Sequence, residues 1–252
     1  MSPLIVAAGA IAGAIVGSFI ATICLRWPQG EQAIAGRSRC DSCNRELSVI
    51  ELIPIISWLG TRGRCGTCGV PIPRFHLWIE LAAAALGSLA LVIEPNLQGA
   101  ALALFWLLLL APAILDAQHH WLPDPLTILL AIAGLLIGGF ATGAHFLDRL
   151  AGGAGGFLAL WLIALSYRRT RGRDGLGAGD PKLLGAIGLW TGGLALPAIV
   201  LIAALSGLGV AVLQGRNRLD RMPFGSLLAG AAILWTAILA VRTPSLDGSQ
   251  LF

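Results

Sequence analysis

The chain has 252 residues, of which 56% are hydrophobic and 12% charged, and its mean hydropathy is +0.81. This apolar content exceeds what one soluble core can bury, so the composition excludes an ordinary soluble protein and indicates a polytopic membrane protein. The formal net charge of +4 comes from basic residues clustered beside apolar segments, which argues against nucleic acid as a partner.

Apolar segments long enough to cross about 30 Å of hydrocarbon recur along the chain. The first, residues 3–25, has no basic region before it and meets Arg26 directly, which favours a retained helix over a cleaved signal peptide. A shorter apolar piece, residues 181–190, is followed by two glycines and a proline within residues 192–197. The remaining long segments are 76–94, 99–116, 124–143, 149–167, 194–213 and 224–242. The sequence therefore predicts an all-α bundle of about eight membrane segments, the short one only partly spanning.

The positions of Lys and Arg predict how this bundle is oriented. With eight segments, one side holds seven arginines between positions 26 and 74, four between 168 and 173, Lys182, and three between 216 and 221. The other side holds Arg149 and Arg242, so 15 of the 17 basic residues share one side. Because cytoplasmic loops collect Lys and Arg, both termini are predicted to lie outside the cytoplasm.

Two Cys-x-x-Cys pairs lie in the longest polar loop. Cys40 and Cys43 form one pair and Cys65 and Cys68 form the other, with 21 residues between the two pairs. This spacing is typical of a site in which four thiolates hold zinc, and a site closed by four sulfurs is structural rather than catalytic. Two disulfides or a redox dithiol are the alternatives, and a reducing cytoplasm disfavours both. Cys24 lies in an apolar segment and is interpreted as a small buried hydrophobic residue.

Two aspartates flank apolar segments at the same predicted mouth of the bundle. Asp116 ends one segment, and Asp180 follows Gly177-Ala178-Gly179 and opens another. Ionisable groups in such places are candidates for function. If the two carboxylates approach each other, one proton would be shared between them, as an aspartyl protease requires. The glycines before Asp180 would let another backbone approach closely.

Each of these polar residues also has a purely structural interpretation. Asp180 before Pro181 is a good N-cap, and Asp116 could be an interfacial residue past a helix end. Asp124 is interpreted first as another cap, and Lys182 as a residue whose ammonium reaches the membrane surface. His119 and His120 are interpreted as exposed loop residues.

Several shorter stretches add to the aspartate and cysteine motifs. They are Gly17-Ser18-Phe19, Ser38-Arg39-Cys40, Ile53-Pro54, Ser57-Trp58-Leu59, Arg62-Gly63-Arg64-Cys65, Glu80, Leu122-Pro123-Asp124, Lys182-Leu183 and Pro223-Phe224-Gly225. Over nearly the whole chain these residues resemble the type IV prepilin peptidase family, the bifunctional leader peptidases and N-methyltransferases of pilus and type II secretion systems. Ala21, Leu25 and Pro181 depart from the family pattern.

The resemblance implies a catalytic pair, Asp116 and Asp180, acting at the cytoplasmic face of a bacterial inner membrane. It implies cleavage of a basic leader after glycine from a prepilin or pseudopilin, and then methylation of the new N-terminal residue with S-adenosylmethionine. The resemblance also implies that four nearby residues support the catalytic pair, namely Gly177, Gly179, Lys182 and Asp124.

The same resemblance suggests a division of the chain into three parts. Residues 1–25 would be the first transmembrane helix, residues 26–75 a cytoplasmic four-cysteine loop associated with methyl transfer, and residues 76–252 a multi-span aspartyl peptidase domain. Three other functions stay open: a peptidase whose zinc loop is only structural, an ion-coupled transporter whose membrane acids relay protons, and a structural assembly protein.

Overall fold

The computed structural model describes residues 2–33, 38–40, 42–172, 175–215 and 222–242. Over these residues the chain is helical and contains no β-strand, only two isolated bridges. The helices are α1 (Pro3–Arg26), α2 (Ile56–Gly60), α3 (Arg74–Ile93), α4 (Leu97–His119), α5 (Asp124–Thr142), α6 (Phe146–Arg171), α7 (Asp180–Thr191), α8 (Leu196–Leu213) and α9 (Phe224–Arg242). The predicted all-α bundle with a four-cysteine loop is confirmed.

Seven of the described helices are long and apolar enough to cross a membrane, namely α1, α3, α4, α5, α6, α8 and α9. Each corresponds to a segment predicted from hydropathy. The predicted segment 149–167 was too short at both ends, because α6 continues through its polar flanks to Arg171. Several arginines counted in the charge argument lie outside the described residues: Arg37, Arg173, Arg216, Arg218 and Arg221.

Helices α1 and α3 pack through glycines and alanines. A Cβ atom placed on Gly9 would lie 2.6 Å from the Gly87 carbonyl oxygen, and one placed on Gly17 would lie 2.7 Å from the Ala83 Cβ. Small residues at such a contact let two helix backbones approach closely in lipid. Cys24, near the end of α1, is almost fully buried and its thiol faces the Ala111 carbonyl, as expected for a small core residue.

Helix α7 has 12 residues and would extend about 18 Å, short of the hydrocarbon thickness of about 30 Å. Its Lys182 ammonium lies 2.6 Å from Asp124 at the start of α5. At its other end, Thr142 at the end of α5 donates to the Trp190 carbonyl over 2.6 Å. Helix α7 therefore runs alongside α5 in the same direction.

Neighbouring helices cover α7 on nearly all sides, and ten of its 12 residues are buried. Gly188 meets the backbone of Gly152 in α6 so closely that a Cβ on either would overlap the other helix. The buried guanidinium of Arg149, also in α6, donates to the Leu189 carbonyl over 2.9 Å and to the Leu135 carbonyl over 2.8 Å. These contacts fix α7 between α5 and α6.

Candidate active site

Asp116 lies in the last turn of α4 and is only 6% exposed. The helix ends at His120, whose φ of 49° turns the chain and whose N–H donates to the Asp116 carbonyl. The Asp116 carboxylate accepts a hydrogen bond of 2.7 Å from the backbone N–H of Ser226, in the first turn of α9. Asp116 is therefore a buried side chain held by another helix, and the interfacial interpretation of it is wrong.

Asp180 is the first residue of α7 and is 3% exposed. Its carboxylate accepts a hydrogen bond of 2.9 Å from the backbone N–H of Gly177, in the loop that precedes the helix. The N-cap of α7 is Gly179. The capping interpretation of Asp180 is therefore wrong, because its carboxylate points back toward the Gly177 loop.

The two carboxylates meet at Gly225, the second residue of α9. A Cβ atom placed on Gly225 would lie 3.1 Å from an Asp116 carboxylate oxygen and 3.1 Å from an Asp180 carboxylate oxygen. Those two oxygens are therefore at most twice 3.1 Å, or 6.2 Å, apart. The structure thus brings together two acids that lie 64 positions apart in the sequence.

Mutual repulsion and burial both oppose full ionisation of this pair. Among the described residues, no Lys or Arg forms an ion pair with Asp116 or Asp180; the ion pairs there join Arg39 to Glu46, Arg45 to Glu51 and Lys182 to Asp124. Unit charges about 6 Å apart at an effective dielectric near 20 repel by about 3 kcal/mol. Burial adds a further cost to ionising both groups.

The predicted supporting residues fall into two groups. Gly177 contacts the pair directly by donating to Asp180, whereas Gly179 packs on Leu122, where a Cβ would lie 2.5 Å from that side chain. Asp124 and Lys182 form an ion pair at the rim, with their side chains about half exposed. The capping prediction for Asp124 is wrong, since Pro123 is the N-cap of α5. His119 and His120 are exposed, as predicted, and His119 is the last residue of α4.

The start of α9 is a part of the site that the sequence does not reveal. Gly225 belongs to one of the motifs that carry the family resemblance, and Ser226 belongs to none of them. Ser226 contributes a backbone N–H, which any residue except proline would supply, so no side-chain pattern could reveal it. The usable signal was Pro223-Phe224-Gly225, a proline and a glycine at the entry to a helix.

The four cysteines of the loop converge in a second candidate site. Their sulfur atoms all lie within 4.8 Å of one another, and those of Cys40 and Cys68 are 3.9 Å apart. Four sulfurs arranged tetrahedrally at about 2.3 Å from a zinc ion would be about 3.8 Å apart, so the cluster is close to the size that zinc requires. All four thiols are free.

Each Cys-x-x-Cys pair folds in the same way. The N–H of Cys40 donates to the Arg45 carbonyl, and that of Cys65 to the Val70 carbonyl, both over 2.9 Å. The residue after each pair has a positive φ, 58° at Asn44 and 70° at Gly69. This turn directs backbone N–H groups at the sulfur atoms.

Those N–H groups change the chemistry of one thiol in particular. Hydrogen bonds from the backbone N–H groups of Cys68 and Thr67 lower the pKa of the Cys65 thiol to about 6. Burial and hydrogen bonds with Cys65, Cys43 and Cys40 raise the pKa of the neighbouring Cys68 thiol to about 11, so ionisation of Cys65 opposes that of Cys68. The thiolate is the form that binds metal. The pair of turns therefore suits a metal cation.

Glu80 connects the four-cysteine loop to the bundle. It lies in the second turn of α3, is 6% exposed, and accepts a hydrogen bond of 2.7 Å from the backbone N–H of Ile55. Ile55 has a φ of 63°, which a β-branched residue rarely adopts. The sequence points to Glu80 only through the family resemblance, and this backbone contact explains why an acid is buried there.

Comparison with known proteins places this arrangement in a family. A model of the bacterial peptidase A24 N-terminal domain matches residues 11–94, and the type IV leader peptidase family model matches residues 102–212. A Burkholderia pseudomallei protein named prepilin leader peptidase/N-methyltransferase is 42% identical over 207 residues, covering 79% of this chain and 67% of that protein. The chain belongs to the type IV leader peptidase family. It is therefore an enzyme.

Two further relatives are somewhat less similar in sequence and match a comparable share of the chain. An Aeromonas hydrophila protein is 37% identical over 212 residues, covering 81% of this chain and 71% of the relative. A Pseudomonas aeruginosa protein is 36% identical over 221 residues, covering 84% of this chain and 76% of the relative. Both carry the name prepilin leader peptidase/N-methyltransferase. No solved structure matches the chain.

Proposed function

We propose that this chain is a prepilin leader peptidase that cleaves its substrate with Asp116 and Asp180 as an aspartyl pair. The observation that carries the proposal is the approach of two buried carboxylates to within 6.2 Å at Gly225. Each accepts one backbone N–H from a different part of the chain, so each is held in place before substrate arrives. The names of the relatives supply the substrate class, a prepilin leader.

In the proposed mechanism the pair carries one proton. The ionised carboxylate takes a proton from a water molecule, whose oxygen attacks the scissile carbonyl, while the protonated carboxylate donates its proton to the carbonyl oxygen. Collapse of the tetrahedral intermediate breaks the C–N bond, and a carboxyl group returns a proton to the leaving amine. Either aspartate can hold the proton first, and the geometry does not require a fixed assignment.

The expected cleavage point, after a glycine at the end of a basic leader, fits a site at the cytoplasmic face. Support for that face comes from the basic residues at the same end of the bundle as the pair, Lys182 and the arginines at the end of α6. The location we propose is thus a bacterial inner membrane, with the pair and the four-cysteine loop on the cytoplasmic side.

We further propose that the enzyme methylates the new N-terminal amine, because the relatives are named as N-methyltransferases. The methyl donor expected from the family resemblance is S-adenosylmethionine, whose sulfonium methyl group would pass to the neutral amine. No described residue is assigned to binding it. The peptidase proposal does not depend on this second activity.

We propose structural zinc for the four-cysteine cluster, held by Cys40, Cys43, Cys65 and Cys68. A loop with little apolar core gains folding free energy from such a metal. Purified protein should contain about one zinc per chain. A Cys65→Ser variant should lose the metal, whereas Cys24→Ser, outside the cluster, should keep it. Full metal content in the Cys65 variant would contradict this assignment.

The pair is tested by Asp116→Asn and Asp180→Asn, each assayed for release of a prepilin leader in membranes. Asparagine keeps the size of the side chain and an oxygen that accepts the N–H of Ser226 or Gly177, but it cannot exchange the proton. The matched control is Asp148→Asn, since Asp148 accepts the Gly193 N–H at the opposite end of α7. We expect both site variants to lose cleavage and the control to retain it. Normal cleavage by either site variant would refute the pair.

The rival function, an ion-coupled transporter, would need acids spaced across the membrane as a relay. Asp116 and Asp180 instead converge at one end of the bundle, where Lys182 pairs with Asp124. This placement favours hydrolysis at a single point over transport.

A further inference from the structure

The four-cysteine loop carries an exposed apolar surface that neither the zinc cluster nor the aspartate pair uses. We define it as the apolar loop face: Val49, Ile50, Leu52, Ile53, Ile56 and Leu59. Ile50 is 75% exposed and Ile56 is 67% exposed. These side chains lie outside the seven helices that could span a membrane. Six exposed apolar side chains on so short an extramembrane segment indicate an interaction surface.

The same segment has a polar side, and that side is turned toward the cysteines. Glu51 accepts hydrogen bonds from the Arg45 guanidinium, the shorter at 2.6 Å, and from Ser48. A Cβ placed on Gly66, between the second pair of cysteines, would lie 3.6 Å from a Glu51 oxygen. The segment is therefore amphipathic, with its charged side packed on the rest of the loop and its apolar side facing outward.

The depth of this segment follows from its contact with α3. Helix α3 has 20 residues and extends about 30 Å, the thickness of the hydrocarbon core, so Arg74 at its start lies near the membrane surface. Glu80, six residues further on, lies about 9 Å along the helix. Because the Ile55 N–H donates to Glu80, the backbone between Ile53 and Ile56 of the apolar loop face is held below the start of the helix rather than above it.

Trp78 lies at nearly the same depth along α3 as the contact between Ile55 and Glu80. Trp78 in α3 is two residues before Glu80 and 65% exposed. Tryptophan collects where acyl chains meet lipid headgroups, and amphipathic segments lie at that boundary with their apolar side about 5–10 Å deep. Both landmarks therefore place the apolar loop face at the acyl boundary.

We infer that the apolar loop face is inserted into the cytoplasmic leaflet of the bilayer, with acyl chains as its partner. The segment would then anchor the four-cysteine loop to the membrane at a second point, beside its covalent connections to α1 and α3. The left-handed conformation of Ile55 and its bond to buried Glu80 hold the backbone in this position. The inference is independent of the peptidase chemistry.

The test uses the full chain in phosphatidylcholine nanodiscs, with a genetically encoded fluorescent amino acid at position 56. This label leaves the cysteines untouched. Two quenchers are applied separately: a phosphatidylcholine with a nitroxide on its acyl chain, and aqueous iodide. Position 136 in α5, where Leu136 is 70% exposed, serves as the lipid reference, and exposed Thr67 between the cysteines serves as the water reference.

We expect the label at position 56 to lose fluorescence to the lipid nitroxide as it does at position 136, and several-fold more than at position 67. Iodide should quench it several-fold less than at position 67. Quenching by iodide alone would overturn the inference and place the face in water. Protection from both quenchers would also overturn it, because a protein surface would then cover the face. If the variant at position 56 does not elute as folded protein, the same measurement at position 50 decides between these outcomes.

Discussion

Gly225 offers a test of the proposed active site that leaves both aspartates intact. In Gly225→Ala the added methyl carbon would lie 3.1 Å from an oxygen of each carboxylate and 2.7 Å from the Leu122 Cδ1. Ordinary contacts of a Cβ atom begin at 3.4 Å, so both carboxylates and Leu122 must move by several tenths of an ångström. A displacement of about 1 Å at a reacting centre can cost about 100-fold in rate.

We therefore expect kcat/KM for leader cleavage to fall about 10- to 100-fold in Gly225→Ala, or about 1.4 to 2.7 kcal/mol of transition-state free energy. The assay is release of the leader from a prepilin in proteoliposomes, followed by mass spectrometry. Gly230→Ala is the matched control: it lies on the same helix, faces outward, and its methyl group would meet nothing within 4 Å. Wild-type cleavage by folded Gly225→Ala would refute the convergence of the two carboxylates at this point.

Three further substitutions test other parts of the structure. Lys182→Met removes an exposed ion pair with Asp124, which contributes at most about 1 kcal/mol, so thermal unfolding in detergent should be nearly unchanged. Thr236→Val leaves the buried Trp106 indole N–H without its partner at 2.9 Å, and unfolding should cost about 1–3 kcal/mol less free energy; an unchanged midpoint would contradict this. Cys65→Ser should make the four-cysteine loop sensitive to limited proteolysis while the bundle resists, and equal resistance of the loop would argue against a metal-dependent fold.

Hydropathy predicted the long helices well because lipid imposes one requirement on all of them, an apolar segment about 20 residues long. The segments predicted at 124–143 and 224–242 differ from α5 and α9 by at most one residue. Helix α6 was underestimated because its last turn is basic and polar, and hydropathy does not register helix that continues beyond the hydrocarbon. The break before α8 was predicted correctly from its glycines and proline.

The candidate site was predictable only in part. Asp116 and Asp180 were identified because acids are costly at the ends of apolar segments, and the family resemblance selected the same two. The contribution of α9 was not predictable, because Gly225 acts through a missing side chain and Ser226 through a backbone N–H. The role of Glu80 was hidden for a similar reason, since its partner is the backbone of Ile55.

The shortness of α7 has a consequence for how the protein is made. A segment of about 18 Å that opens with Asp180 and Lys182 is a poor substrate for insertion into lipid by itself. Helices α5 and α6, rather than lipid, bury α7. Arg149 of α6 donates to the Leu189 carbonyl of α7, and Gly152 of α6 contacts Gly188. We therefore expect α7 to settle after its neighbours during biogenesis, so that the two aspartates, and with them the proposed peptidase site, come together only once α5 and α6 are in place.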